Sequence, residues 1–364
     1  MNLKQLLKKR RHIRKLNKNF HWRFGSRPET FTINAGYTTN DSKIGRNDVD
    51  RLIKSYNLRR NEMPTDQWEG IFNSFHTEIH TALVNQDVAY ISAVLDNPVT
   101  SDLFYGFDAL SKSLRVGGLR LEEKKNPALT FDGFLRLAEA MGVRRQDNPE
   151  RYSKHFEKLH IDDVIDQIER FIGFELVFPN PYPNEYGLIT KRGIATERVP
   201  QAIYQAWILS KNATRVAEIG GGLGRTSFYA KMFGIKDYTI VDIPITSLSQ
   251  GSFLSKTSVQ TVLEGEPYVS DAVKLVSPEI FFKSDEKYDT ILNVDSLTEI
   301  GNEPSSEYVQ KIAKSTSRFI SINHESNSDS VLELVTNAGL LTNRTRHPSW
   351  IRRGYVEEVY EFNS

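Results

Sequence analysis

Residues 216–225 read VAEIGGGLGR: a short apolar run that includes Glu218, then three consecutive glycines, then Gly224. The run has the β-branched and small-residue texture of a buried strand, and Thr226–Phe233 after it reads as a helix. Strand, glycine-rich turn and helix make the first half of a βαβ unit, so this stretch predicts further strands and helices in alternation downstream. Glycines at such a turn allow positive φ and let backbone N–H groups approach a ligand with no Cβ between them.

The glycine register narrows the ligand. A dinucleotide fingerprint needs glycine at its first, third and sixth positions; counted from Gly220 the sixth is Arg225, and counted from Gly222 it is Ser227. A phosphate loop fails as well, because no Gly-Lys-Ser/Thr comes after the turn. What fits is an acid, one spacer and glycines at alternate positions, with Glu218, Gly220, Gly222 and Gly224 in the pattern E-x-G-x-G-x-G. The next apolar run, Tyr238–Val241, ends in Asp242, 20 residues beyond Gly222. A carboxylate there can accept hydrogen bonds from both hydroxyls of a ribose. A turn that serves only tight helix–sheet packing, and a nicotinamide-type site, are the competing accounts.

Downstream, β-branched runs alternate with helical stretches. Arg215–Ile219, Tyr238–Val241, Val259–Leu263 or Val273–Val276, Thr290–Val294 and Phe319–Ile322 are the strand candidates. The pattern predicts an α/β fold with a Rossmann-like, doubly wound, mostly parallel sheet. Trp350–Arg353, Gly354 and Tyr355–Phe362 read as a strand or hairpin forming an antiparallel edge. Upstream, from about residue 41 to 210, the spacing is mostly helical, as in Trp68–Ile71–Phe72–Phe75–Ile79 and Phe131–Phe134–Leu135–Leu137–Ala138. The expected organisation is an arm over 1–40, a helical domain or lid over 41–210 and the sheet domain over 211–364.

Composition excludes several classes. The 364 residues contain no cysteine, so disulfides, thiolate metal sites and a cysteine nucleophile are ruled out. No stretch approaches the ~18 uncharged apolar residues of a membrane span. Residues 1–24 carry nine Lys and Arg and no acid, against a net charge of +1 for the whole chain, which leaves the remainder at −8. The arm's Leu3, Leu6, Leu7, Ile13, Leu16 and Phe20 partly follow helical spacing, which suits either a solvated arm or a peripheral contact with an anionic membrane or glycan-assembly surface. No apolar run comes after these charges, so a secretory signal is not expected, and the expected location is cytoplasmic. The acidic body argues against nucleic acid as partner.

At the glycine turn and strand-end acid the chain resembles the class I S-adenosylmethionine-dependent methyltransferases. More narrowly, VAEIGGGLGRTSFYA, YTIVDIPITSLSQGSFL, KYDTILNVDSLTEI, FISINHES and SWIRRGYVEEVY, over about residues 180–362, are similar to sugar O-methyltransferases found in bacterial polysaccharide and surface-glycan gene sets. The resemblance implies S-adenosyl-L-methionine as cofactor, with Glu218 near its methionine part, Asp242 on its ribose, and Asp271 on its adenine. It implies a sugar or glycan hydroxyl as acceptor, nucleotide-linked, lipid-linked or in a growing chain. A small-molecule methyltransferase of another class and a catalytically silent cofactor-fold subunit are the rival readings.

Methyl transfer to oxygen needs alignment, exclusion of water and removal of a hydroxyl proton. Asn293 and Asp295, after the fourth strand, are expected beside the methionine moiety, and Glu299 beside the acceptor; helix capping by Asp295 or Ser296 with Glu299 is the competing account. His324, after the fifth strand, suits the proton-accepting role, with Glu325 as its orienting neighbour. Tyr186 and Arg192, in a basic and aromatic stretch, are candidates for acceptor contact, with Arg198 as an alternative. Asp242, Asp295, Glu299 and His324 could converge on a divalent ion, but no ligand spacing demands one, and no metal is expected.

Overall fold

The computed structural model describes residues 33–62, 66–115, 126–145, 159–340 and 343–362. Residues 1–32 of the expected arm, with all of its basic cluster, lie outside the described residues, while Ala35–Tyr37 near its end forms a strand. In chain order the elements are β1 (Ala35–Tyr37), α1 (Arg46–Leu58), α2 (Asp66–Ile71), a π-helical turn (Phe72–His76), α3 (Thr77–Val84), α4 (Val88–Asp96), α5 (Lys112–Arg115), α6 (Asn126–Ala140), α7 (Ile161–Ile172), β2 (Tyr186–Thr190), β3 (Gly193–Ala195) and α8 (Arg198–Ser210). The chain continues through β4 (Arg215–Ile219), α9 (Arg225–Met232), β5 (Asp237–Val241), α10 (Pro244–Lys256), β6 (Thr261–Val262), β7 (Val273–Val276), α11 (Pro278–Lys283), β8 (Thr290–Val294), α12 (Asn302–Ser315), β9 (Arg318–His324), α13 (Val331–Asn337), β10 (Asn343–Pro348) and β11 (Tyr355–Glu361).

Two compact units share these elements. The described residues of one lie within 33–38, 114–180 and 185–200; those of the other lie within 39–113, 181–184 and 201–362. In the first unit, β1, β2 and β3 form an antiparallel sheet, with Leu188 opposite both Ala35 and Ala195. The amphipathic patterns of α6 and α7 bury Phe131, Phe134, Leu137, Val164, Ile165 and Ile168, as their spacing predicts.

The second unit holds an eight-stranded sheet in the order β10-β11-β9-β8-β4-β5-β7-β6. Six strands run parallel, and β11 enters antiparallel between β9 and β10. Parallel strands covered on both faces need apolar runs without alternation, and RVAEI and TILNV supply them: each buries four of its five residues. Ala217, Ile291 and Phe319 from the strands meet Val309 and Ile312 of α12 and Val331 and Val335 of α13 in the core on one face. The expected Rossmann-like, doubly wound sheet is therefore present.

Two expectations change, and the choice left open for the third strand is decided. Residues 39–113 group with the sheet, not with 114–200. Helix α1 packs along α10, where Ser255 donates to Asp48 at 2.6 Å, and its Arg51 reaches Glu266 in the loop after β6 at 2.7 Å. The third strand of the central order is β7, while Thr261–Val262 forms only the short outer β6. The antiparallel edge is β10, because β11 lies inside it. Asn343–Pro348 is exposed throughout and carries no apolar signal, and Arg344 and Arg346 tie it to Glu358 of β11 at 3.0 and 2.9 Å.

Candidate active site at the carboxyl edge of the sheet

Strand order reverses between β4 and β8, since the chain runs outward through β5 and β7 and then returns to the other side of β4. Ligands of open α/β sheets sit outside the carboxyl ends of the strands at such a reversal. The glycine turn comes directly after β4 and Asp295 directly after β8, so both belong to that edge. Ser296 ties the two ends together by donating to the Ile219 carbonyl at 2.9 Å.

The three glycines do different things. Gly220 has φ +74, and a Cβ there would overlap the Ser296 side chain; a Cβ on Gly221 would come within 2.7 Å of Ile240 Cγ2. Gly222, at φ +55, has no atom within 4 Å of the Cβ position, and Gly224, at φ +85, is the N-cap of α9. Packing thus explains Gly220 and Gly221, while Gly222 leaves its backbone approachable. Gly220→Ala is expected to lower the unfolding free energy by about 2 kcal/mol or more, and Gly222→Ala by about half that, in denaturant melts.

Glu218 is buried and accepts from Tyr238 Oη at 2.9 Å. Burial pushes its carboxyl up to about 7, against the bonds from Tyr238 and Thr226. Asp242 is half-buried just past β5; it accepts from its neighbour Ile243 N at 2.9 Å and from Gln250 Nε2 at 2.7 Å. Burial also raises it to about 7, while these bonds, the Gly221 N–H and the charge of buried Arg59 act downward. A carboxylate has roughly four lone-pair sites, so capacity for a ribose remains.

Beyond β8 and β9 a second group converges. Asp295 has φ +58, and its Oδ2 accepts from Tyr355 Oη at 2.6 Å and from Arg352 Nη2 at 3.2 Å. Its Oδ1 lies 3.4 Å from His324 Nε2. The Ser326 backbone N–H donates to His324 Nδ1 at 3.3 Å, and the Ser326 hydroxyl lies 2.7 Å from the same nitrogen. These partners assign the ring proton to Nε2, facing Asp295, and leave Nδ1 as the accepting nitrogen. The His324 ring meets Tyr355 edge-on at 5.5 Å. Glu299 completes the group: one ligand-type atom from each of Asp295, Glu299 and His324 lies within 4.8 Å of the others. Trp68 Nε1 donates to Glu299 Oε2 at 3.3 Å.

The other expected residues are placed differently. Asn293 is fully buried, donates to Ile219 O at 3.0 Å and accepts from Asn323 at 2.9 Å, so it braces the strand ends and does not face the cleft. Asp271 precedes β7, which puts it at the amino edge of the sheet, and it pairs there with Lys231; the adenine contact expected of it has no support in that position. Glu325 pairs with Arg346 at 2.8 Å, and Asp295 takes the orienting place beside His324. Asp242 is not among the grouped metal-type ligands. The capping pattern at 295–299 is not made, because the Ser296 hydroxyl is spent on Ile219.

Tyr186 and Arg192 belong to the first unit. Tyr186 lies in β2 with its ring 4.7 Å from Tyr37. Arg192 is held at Glu169 by two bonds of 2.8 and 2.9 Å and at Glu175 by a third, so ion pairing accounts for it without an acceptor. Sequence reading missed Gln250, Arg59, Ser326, Arg352, Tyr355 and Trp68. For Arg352 and Tyr355 the signal was present in WIRRGY; for the others only the fold brings them to the edge.

No protein-family model matches the chain, and no curated protein matches it by sequence. Among solved structures it is similar to a candidate O-methyltransferase from Nostoc punctiforme (12% identity, 78% of this chain and 98% of that one, TM-score 0.36). It is also similar to magnesium protoporphyrin IX methyltransferase from Synechocystis with bound S-adenosylmethionine (14%, 45% and 83%, TM-score 0.33). A third is the O-methyltransferase TomG from Streptomyces achromogenes (13%, 45% and 80%, TM-score 0.33). The Rossmann-like fold stands on the strand order and connections of the sheet itself.

Proposed function

We propose that the protein is an S-adenosylmethionine-dependent methyltransferase that acts on a sugar hydroxyl, in the cytoplasm, during glycan assembly. The observation that carries this reading is the meeting of two groups at one sheet edge: the acid-and-glycine turn with Asp242, and the Asp295–His324–Glu299 group one strand away. Glu218, the approachable backbone at Gly222 and Asp242 suit a cationic amino-acid nucleoside. Bound there, the cofactor supplies a methyl group on a sulfonium sulfur.

The chain's own residues do the rest. An acceptor hydroxyl oriented at Glu299 would pass its proton through the Ser326 hydroxyl to His324 Nδ1, and the bound cofactor would supply the methyl group that takes the proton's place on oxygen. Asp295, with Oδ1 at 3.4 Å from Nε2, stabilises the imidazolium by its charge, and Arg352 with Tyr355 keeps Asp295 in place. Because a guanidinium already neutralises Asp295, the group is read as a proton-transfer site and not as a metal site. An acceptor screen with sugar nucleotides tests the assignment: a mass gain of one methyl supports it, and methylation of non-sugar hydroxyls alone refutes the sugar.

Cofactor binding is expected to strengthen with pH. In the unfolded chain Glu218 and Asp242 lose their protons near ~4, but folded they keep them up to about 7. Between those limits the native state holds more protons than the unfolded one, so their contribution to stability falls as pH rises through the window. A sulfonium and ribose donors favour the ionised forms and so expel these protons. Affinity for S-adenosylmethionine should rise roughly tenfold from pH 6 to 7 and level off above it. Calorimetry in buffers of different ionisation enthalpy would register the released protons.

A further inference from the structure

We infer that Trp68, Phe75, Tyr105 and Phe107 form the platform on which the acceptor's sugar ring lies, with its polar rim turned to Glu299 and His324. This rests on the sugar-methylation reading above and names the residues that would recognise the ring. Helical spacing places Trp68, Ile71, Phe72, Phe75 and Ile79 on one face, and a single buried stripe would be expected of them. Only Phe72 and Ile79 are buried, whereas Trp68, Ile71 and Phe75 remain half-exposed. The π-helical turn at Phe72–His76 interrupts the stripe, and such turns are frequent at functional sites.

The half-exposed rings are ordered in pairs. Trp68 stacks on Phe107 with centroids 6.3 Å apart at 27°, and Phe75 stacks on Tyr105 at 3.7 Å and 23°. Gly106, at φ +100, lets the Tyr105–Phe107 loop press on Trp68: a Cβ there would come within 3.1 Å of the indole. The ledge leads to the candidate active site, because the Trp68 indole N–H donates to Glu299 Oε2.

Aromatic faces take apolar ring surfaces, and a few placed polar groups fix orientation at the rim. A pyranose has that character, with C–H faces and a hydroxylated edge. It also supplies more than one hydroxyl, so one can give its proton to His324 while a neighbour donates to Glu299. A ring with a single hydroxyl has none left for Glu299.

Saturation-transfer NMR on the full chain with S-adenosylhomocysteine, using the methyl glycosides of glucose, galactose, mannose and rhamnose, tests this. The parent should saturate ring C–H protons of at least one glycoside. Trp68→Ala should bind that glycoside about tenfold more weakly or worse, while Trp68→Phe retains most of the affinity through stacking. Thermal melts and S-adenosylhomocysteine affinity equal to the parent's show that the variants are folded. If folded Trp68→Ala binds the glycoside as the parent does, the platform is wrong and the methyltransferase reading stands. If the parent holds S-adenosylhomocysteine but saturates no glycoside, the sugar reading falls and the platform with it.

Discussion

Replacing His324 with alanine should lower kcat by about a hundred- to ten-thousand-fold, the range that a positioned base contributes, and leave the affinity for S-adenosylmethionine unchanged. The ring ends β9 and is fixed from three sides: Asp295 Oδ1 at Nε2, Ser326 at Nδ1, and Tyr355 against its edge. An imidazole held this way loses no orientation freedom when a hydroxyl arrives, so the deletion removes a poised base and little binding. Asp295→Asn should behave as a milder version, because the amide keeps the shape but cannot stabilise the imidazolium. Saturating turnover beside a calorimetric Kd separates the two effects. Full turnover in His324→Ala would transfer the base role to Glu299.

Asp242→Ala should weaken S-adenosylmethionine binding by about a hundredfold, as expected when two hydrogen bonds to a charged group are lost. The carboxylate ends its strand beside the glycine turn, where Gln250 Nε2 bridges it at 2.7 Å to the Gly222 carbonyl at 3.1 Å. The variant also strips the partners of Ile243 N–H and Gln250, so Asp242→Asn, which retains an acceptor oxygen, serves as the control for fold. Parental affinity in folded Asp242→Ala would remove the ribose from this position.

The central strands were legible because a buried parallel strand must be an unbroken apolar run, and Arg215–Ile219 and Thr290–Val294 have the bounds that those runs gave. The places of Asp242, Asp295, Glu299 and His324 at the carboxyl edge were legible because a polar residue that ends an apolar run stands at the end of its strand, whereas Glu218 lies buried within β4. Asp271 was misplaced for a definite reason. Two adjacent apolar runs competed for one strand, and the choice of Val273–Val276 turns a residue after the strand into one before it. The β10 strand could not be read, since NRTRHP is held by pairing with β11 and by Glu358, not by a hydrophobic face. Helical periodicity shows that a face is buried but not against what, which hid the grouping of residues 39–113 with the sheet. Arg352 and Tyr355 stand out in WIRRGY, but their bonds to Asp295 span 57 and 60 residues, so only the fold shows what they hold.

The most direct test is a calorimetric titration of the intact chain with S-adenosylmethionine at pH 8. The proposed site predicts saturable binding to one site per chain, displaced by S-adenosylhomocysteine and weakened in Asp242→Ala. No binding heat and no displacement would contradict it, and the Rossmann-like sheet would then carry some other function.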